Sequence, residues 1–406
     1  MLRLSRRDLL RGSLTAGVVA ATSPLFTAPS LGAEVSIDRG SLISAKPITE
    51  QDADQVAAYL KDFGLDYSRV RFGVDAFQIV YGTVDPVGRA TFASGLVALP
   101  REAQDAGDLP QVAWLHGTRV YRGEVASVSA ESDDRRFAFA FASAGYAVTA
   151  PDYLGLGSGP GYHPWMDSGS AAAVSLDALQ ATRTFAEQRG SRLRTDVLVS
   201  GFSQGGNSAL ALGRLLRDEA RPDVRLGALA PISGGYGWSG WLRSALTGGV
   251  DPFAATIYLA YFSVAWNRLH GLYNDPAEAF LAPYAGDIET LFDNDHTIEQ
   301  IVAGLPPTPG ELLSPEFAEY LQYPTGALQT ALAAADGVGD WRPSVPVHLY
   351  AASGDHEMPI ASTLHAEQAL KAHGADVTLI DVGDTDHFGS VMRSVPRVLA
   401  GLTRGA

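Results

Sequence analysis

Short apolar runs alternate with longer amphipathic stretches from about residue 111 to the end of the chain. Each run predicts a buried strand, and the loop and amphipathic stretch after it predict a crossover helix. This alternation is typical of a parallel sheet covered by helices. The predicted strands are Val112–Leu115, Ala147–Ala150, Val197–Ser200, Leu226–Ala230, Val347–Ala351 and Val377–Val382. The predicted helices are Arg135–Ser143, Ser168–Gln188, Gln204–Asp218 and Ser362–Ala372.

A different pattern precedes this region. Two runs rich in β-branched and aromatic residues, Phe77–Val84 and Thr91–Leu99, flank the turn-forming segment 85–88, which predicts an antiparallel hairpin. Residues 34–45 are expected to be irregular, and residues 50–63 to form a short surface helix. A hairpin that leads into parallel strands predicts a mixed, open α/β sheet.

One segment of the chain does not fit the alternation. Residues 236–343 separate two predicted strands and are far longer than a normal crossover connection, so we expect an inserted domain. Its run Phe253–Trp266 is almost wholly apolar but too short to span a bilayer. The run is either the core helix of the insertion or part of the lining of an apolar substrate pocket.

The first 33 residues have the form of an export signal. Arg6 and Arg7 form a twin-arginine pair, and an uncharged run from Gly12 to Ala33 follows. A membrane anchor is the alternative, but glycines and prolines interrupt the run. We therefore expect export by the twin-arginine route to a periplasm or out of the cell. The predicted core then consists of residues 34–235 and 344–406.

Composition limits the partners and the chemistry. The 406 residues are 46% hydrophobic, which is enough for one large core with a sizeable insertion. The net charge of −15 argues against nucleic acid or an anionic membrane as a partner. The chain has no cysteine, which excludes disulfides and a thiol nucleophile.

The segment Gly201–Gly205 is the strongest chemical signal. It places Ser203 in a Gly-Phe-Ser-Gln-Gly turn between a predicted strand and a predicted helix. A sharp turn of this kind needs residues without a bulky Cβ on either side of the serine, and it exposes the hydroxyl above the sheet. The helix N-terminus adds free N–H groups where an oxyanion would form. Ser203 is therefore the candidate nucleophile.

A serine nucleophile needs a base and an acid, which follow it in this chain order in the loops after later strands. The loop after the last predicted strand contains His387, the candidate base. The loop after the preceding strand contains Asp355, the candidate acid, with Glu357 and Asp384 as rivals. His356 is interpreted as a neighbour that packs or hydrogen bonds.

The oxyanion is expected to bind two backbone N–H groups. One belongs to Gln204, directly after the nucleophile, and the other to Thr118 or, less favourably, Gly117. His116 is interpreted as a structural residue that holds this loop. No cofactor is expected, because the glycine-rich segment 151–157 lacks a phosphate-binding spacing and no cluster has the spacing of metal ligands.

With these residues placed, the chain resembles the α/β-hydrolases, and within them the secretory lipase group that contains Candida antarctica lipase A and its bacterial relatives. The resemblance depends on the segment 145–153, on His163 with Pro164, on the serine turn, on Ser353 to Asp355, and on Asp386 with His387. It implies an α/β-hydrolase fold with a mainly helical cap or lid over an acyl pocket. It also implies Ser203, Asp355 and His387 as the catalytic triad.

The expected function is hydrolysis of carboxylic esters by an esterase or lipase, with a small-molecule or lipid substrate that has a hydrophobic acyl or aromatic part. The same triad would also serve a peptidase or amidase. A non-catalytic binding protein on a hydrolase scaffold is the alternative from another class, and loss of a triad residue would favour it. The sequence does not indicate an oligomeric state.

Overall fold

The computed structural model describes residues 37–101, 103, 107–219 and 222–402. Nine strands of this part of the chain form one sheet: β1 Leu42–Gln51, β2 Val74–Val84, β3 Ala90–Pro100, β4 Leu109–Leu115, β5 Ala147–Pro151, β6 Leu193–Phe202, β7 Arg225–Ile232, β8 Val347–Ala351 and β9 Val377–Asp381. Their order across the sheet is β1-β2-β3-β5-β4-β6-β7-β8-β9. Pairing is antiparallel from β1 to β5 and parallel from β5 to β9.

Helices occupy both faces of the sheet and the segment between β7 and β8. They are α1 Ala53–Asp62, α2 Asp133–Ser143, α3 Ser168–Gln188, α4 Gln204–Asp218, α5 Trp238–Leu246, α6 Pro252–His270, α7 Pro276–Ala279, α8 Ile288–Leu291, α9 Ile298–Ala303, α10 Pro309–Leu312, α11 Pro315–Gln322, α12 Gly326–Asp336, α13 Ile360–Ala372 and α14 His387–Leu402. Short 3₁₀ turns lie at Arg122–Glu124, Tyr284–Gly286 and Gly337–Gly339.

Alternation along the strands divides the core into two layers. In β6, Val199 packs with α3, α4 and α13, whereas Leu198 packs with α1, α2 and α14 on the other face. Successive side chains of a strand point to opposite faces, so a continuously apolar strand must be covered on both sides. The sheet is therefore the middle layer of three, and the carboxyl ends of its parallel strands lie at one edge.

The predicted mixed sheet with flanking helices is confirmed. The predicted hairpin is β2 and β3, in which Phe77 pairs with Val97. The short helix predicted at residues 50–63 is α1, which begins at Ala53, whereas the prediction of irregular chain up to residue 45 is wrong, because residues 42–51 form a strand. β1 is an edge strand with mostly exposed side chains and contains Pro47, so it lacks the apolar alternation of a half-buried strand.

The described residues between β7 and β8 add no strand to the sheet. They form the helices α5 to α12, which share a hydrophobic cluster around α6 with Val120, Trp165, Met166 and Met358 from outside the segment. Every residue from Ala254 to Trp266 of α6 is buried. The apolar run Phe253–Trp266 is thus part of the central helix of this segment.

The predicted export signal, residues 1–33, lies outside the described residues. None of the helices within the described ranges combines the length and the apolar character that crossing a bilayer requires.

Candidate active site

Ser203 lies in a strained turn between β6 and α4. Its backbone has φ 56° and ψ −118°, a left-handed conformation that is rare for a residue with a side chain. The neighbouring glycines are required by close packing against the end of β4. A Cβ at Gly205 would overlap the carbonyl oxygen of Leu115, and one at Gly201 would lie 2.6 Å from the same oxygen. The local sequence therefore produces the turn for a steric reason.

The structure brings the three predicted triad residues together. His387, at the start of α14, has its Nε2 2.9 Å from Ser203 Oγ and its Nδ1 2.6 Å from Asp355 Oδ2. The other carboxylate oxygen of Asp355 accepts the backbone N–H groups of Glu357 at 3.0 Å and Met358 at 2.8 Å. Since these amides hold the carboxylate, its free oxygen is directed at the imidazole.

The charges around His387 favour its protonated form. Burial alone would lower the pKa of this imidazole, but the Asp355 carboxylate and its hydrogen bond, with help from Glu357 and Asp386, raise the pKa above the ordinary 6.5. The same burial raises the pKa of the Glu357 carboxyl. The arrangement stabilises an imidazolium, which is the state of a base that has just accepted a serine proton.

The predicted oxyanion loop lies against the serine. A Cβ on Gly117 would lie 3.5 Å from Ser203 Cβ. The hydroxyl of Thr118 accepts a hydrogen bond from Trp165 Nε1 at 2.9 Å. Within the described part of the chain, the backbone N–H groups of Gln204 and Thr118 donate to no acceptor. Both amides are therefore free to bind an oxygen of a substrate.

His163 takes part in the site in a way that the sequence did not indicate. Its Nε2 lies 2.8 Å from Gln204 Nε2, and its Nδ1 lies 3.0 Å from the carbonyl oxygen of Leu154. Burial lowers the pKa of His163 to about 3, so the ring is neutral. Nδ1–H then donates to Leu154 and Nε2 accepts from the amide of Gln204. The only signal in the sequence was the His163-Pro164 pair of the resemblance, which carried no role.

Two tyrosines of α6 reach the loops on either side of the serine. Tyr258 donates to Glu357 Oε2 at 3.2 Å, and Tyr261 donates to the carbonyl oxygen of Arg119 at 3.2 Å. Both rings stack with Trp165, at centroid distances of 5.9 and 4.8 Å. The rival acid Glu357 is therefore engaged by the helical segment, and aromatic rings form that side of the site.

Solved structures similar to this chain belong to esterases and hydrolases. The rice cell wall degrading esterase LipA from Xanthomonas oryzae is 26% identical with a TM-score of 0.80, and the match covers 89% of this chain and 97% of that one. A protein of Legionella pneumophila assigned to the hydrolases is 27% identical with a TM-score of 0.81 and the same two coverages.

The chain has the α/β-hydrolase fold. Candida antarctica lipase A in its closed state shares its fold, with 12% identity, a TM-score of 0.61, and coverage of 90% of this chain and 83% of the lipase. Neither protein-family models nor a sequence search of curated proteins finds a match. The resemblance to the secretory lipase group is thus confirmed at the level of structure, and the enzyme class that these neighbours support is a carboxylic ester hydrolase.

Three other histidines that the sequence offered have surface or supporting positions. His296 contacts Asp293 at 2.9 Å, His373 contacts the carbonyl oxygen of Ala369 at the end of α13, and the side chain of His356 is exposed. The glycine-rich segment 151–157 is a turn built on buried Asp152. In the described ranges, no three side chains of metal-ligating type cluster as a metal site would require.

Proposed function

We propose that this protein is an exported hydrolase of carboxylic esters that acts through Ser203, His387 and Asp355. One observation carries the proposal: the three side chains form a continuous line of hydrogen bonds, at 2.9 and 2.6 Å, at the tip of a strained strand-to-helix turn. A hydroxyl becomes a useful nucleophile only when a positioned base removes its proton, and this line supplies the base and its orienting acid.

In the proposed reaction, Ser203 Oγ attacks the ester carbonyl carbon while its proton passes to His387 Nε2. The carbonyl oxygen becomes an oxyanion and binds the N–H groups of Gln204 and Thr118. The intermediate collapses, the C–O bond of the ester breaks, and the alcohol leaves with the proton from His387. A water molecule then attacks the acyl-enzyme while it loses a proton to His387, and His387 returns this proton to Ser203 Oγ as the acid is released.

The segment 236–343 is proposed to act as a cap over the acyl pocket, with residues 34–235 and 344–406 as the core. Its aromatic side chains pack with Trp165 of the core, and Trp165 and Tyr261 bind the oxyanion loop at Thr118 and Arg119. Burial of an apolar substrate group against these side chains would stabilise the complex by about 25 cal/mol per Å² of apolar surface. A hydrophobic acyl or aromatic group is therefore the proposed substrate feature.

The test compares the wild type with Ser203→Ala on p-nitrophenyl esters of increasing chain length and on aminoacyl anilides. We expect ester hydrolysis by the wild type and a loss of about 10⁶-fold in kcat on substitution. Ser191→Ala is the matched control, since Ser191 lies just before the opposite end of β6 and has no contact with the site. This control should keep full activity.

Other outcomes would contradict the proposal. Equal ester turnover by the wild type and Ser203→Ala would reject the serine mechanism, and absence of both activities from the wild type would favour a binding protein. Faster cleavage of anilides than of esters would assign the protein to the peptidases or amidases instead.

Export is the second part of the proposal, and it depends on the form of residues 1–33 alone. Fractionation of cells that produce the full chain tests it. We expect the protein in the periplasm or the medium, and retention of all of it in the cytoplasm would contradict export.

A further inference from the structure

His116 lies at the carboxyl end of β4, in the loop that touches the nucleophile. Its neighbour Gly117 packs against Ser203 and Phe202, where an added Cβ would lie 3.5 Å from Ser203 Cβ and 3.2 Å from the Phe202 ring. The ring of His116 is almost fully buried, with 2% of its surface exposed. Any constraint on this ring therefore acts on the backbone beside the reacting atoms.

Both ring nitrogens of His116 face backbone carbonyl oxygens. Nδ1 is 2.7 Å from the oxygen of Gly117, and Nε2 is 3.1 Å from the oxygen of Asp152. A carbonyl oxygen only accepts hydrogen bonds, and a neutral imidazole has only one N–H to donate. Both bonds exist together only when both nitrogens carry a hydrogen.

We propose that His116 is an imidazolium cation that orients and polarises the Gly117–Thr118 peptide, and is therefore a positioning residue for the oxyanion donor of Thr118. The inference rests on the proposed function. The carbonyl of Gly117 and the N–H of Thr118 belong to one planar trans peptide and point in opposite directions. A ring that holds the oxygen thus also fixes the N–H, and its charge draws electrons toward the oxygen and makes the N–H a stronger donor.

A buried cation needs a compensating charge, and Asp152 supplies one. Its carboxylate is fully buried and accepts the hydroxyls of Ser94 at 2.6 Å and Ser127 at 2.5 Å through one oxygen. The other oxygen has no hydrogen-bond partner in the described part of the chain. Burial raises the pKa of Asp152, while the two serine hydroxyls and the positive ring of His116 oppose that rise.

Aromatic packing adds to the same balance. The ring of Tyr153 lies 4.2 Å from the His116 ring, within the range of a cation–π contact. The ring of His163 is parallel to the ring of Tyr153 at a centroid distance of 5.8 Å. Because His163 is neutral, no second positive imidazole opposes the charge on His116.

The two buried histidines differ in their hydrogen-bond partners. The nitrogens of His163 meet one acceptor, the Leu154 oxygen, and one donor, the Gln204 amide, which a neutral ring satisfies. The nitrogens of His116 meet two acceptors. The hydrogen-bond partners therefore indicate a neutral ring for His163 and a positive ring for His116.

Nitrogen-15 NMR of the full chain, with the histidine rings labelled, tests the charge state directly. His116 is assigned by its absence from the spectrum of His116→Gln. We expect two protonated nitrogens for His116 at neutral pH, and one protonated and one unprotonated nitrogen for His163. An unprotonated nitrogen on His116 would overturn the proposal, and this measurement on the wild type does not depend on whether a variant folds.

Kinetics test the positioning role. His116→Asn places an uncharged donor near the former Nδ1, whereas His116→Gln places one near the former Nε2 and leaves the Gly117 oxygen without its partner. Loss of an oxyanion donor typically costs about 10²–10³ in kcat, so we expect His116→Gln to lose about that much with KM nearly unchanged. His116→Asn should lose less.

A phosphonate ester that labels the active-site serine separates the possible failures. Labelling of the wild type at Ser203 with ester turnover supports the proposed function whatever His116 does. If the wild type is labelled and active while both variants keep its kcat and labelling rate, only the role of His116 is rejected. If both variants lose the same thermal stability and the same kcat, so that His116→Gln is no slower than His116→Asn, His116 is a purely structural residue.

Discussion

At the scale of single residues, the charge balance at His387 determines when the proposed enzyme is active. The imidazole must be neutral to accept the serine proton, but its surroundings raise its pKa above 6.5. Burial acts in the opposite direction, so the rise depends on the carboxylates of Asp355, Glu357 and Asp386. Activity should therefore fall as the pH drops through the pKa of His387, which is higher than the pKa of a free histidine.

Asp355→Asn tests this balance. We expect kcat/KM to fall by about 10⁴-fold, because the amide no longer holds the imidazole in the required tautomer. The acid limb of the pH profile should also move to lower pH, since the largest opposing contribution to the pKa of His387 is lost and burial remains. The pH dependence of kcat/KM checks both effects.

The control for this prediction is Asp384→Asn, which changes the exposed rival acid in the loop that precedes His387. This substitution should leave the acid limb of the pH profile and the value of kcat/KM nearly unchanged. If Asp384→Asn reproduced the effect of Asp355→Asn, the assignment of the acid would be wrong.

At the scale of elements, the sequence predicted best where burial imposes a clear pattern. Helices α3 and α4 have the predicted bounds, and the loops after β8 and β9 place Asp355 and His387 beside Ser203 as chain order implied. α14 was not predicted, because Pro396 within it signals a break in a helical pattern. The contacts of His163 and Glu357 were not predictable, because they depend on how distant segments pack.

The turn between β6 and α4 offers a test of an element's packing. Gly205→Ala should destabilise the fold by about 3 kcal/mol or more and abolish activity, because its Cβ would overlap the backbone of Leu115. Gly240→Ala in α5 is the matched control. No atom lies within 4 Å of the added Cβ there, so we expect a gain of about 0.5–1 kcal/mol.

Urea unfolding of the two alanine variants and the wild type measures both changes. A wild-type midpoint for Gly205→Ala would show that the turn is not pressed against β4. A loss for Gly240→Ala as large as that for Gly205→Ala would attribute the effect to glycine replacement in general.

At the scale of the whole molecule, the triad is almost fully buried. The exposed fractions of Ser203, His387 and Asp355 are 6%, 2% and 3%, and we expect an ester to reach the serine only when a neighbouring part moves. The side chain of Asn294 is one of the groups that bind the proposed cap to the loops of the core. Its amide donates to the carbonyl oxygens of Gly155 at 3.0 Å and Gly161 at 3.3 Å.

Asn294→Gly should therefore make the enzyme selectively faster on long-chain esters. Asn294 has φ 71°, a conformation that glycine adopts freely, so the backbone survives while both hydrogen bonds are lost. At about 1 kcal/mol for each bond, the open fraction should rise about tenfold to thirtyfold. Long acyl chains need a wider opening than acetate, so kcat/KM for p-nitrophenyl octanoate should increase relative to that for the acetate.

Asp295→Asn is the neighbouring control, because it removes only the exposed ion pair with Arg122, which contributes little to stability. It should leave the octanoate-to-acetate ratio unchanged, whereas Asn294→Gly raises it. An equal change for both esters in Asn294→Gly would mean that its loss alters the site itself, and that the segment 236–343 does not limit access to Ser203. A raised ratio would connect the closed geometry of the triad to the cap, because the substituted residue contacts core loops and none of the three catalytic side chains.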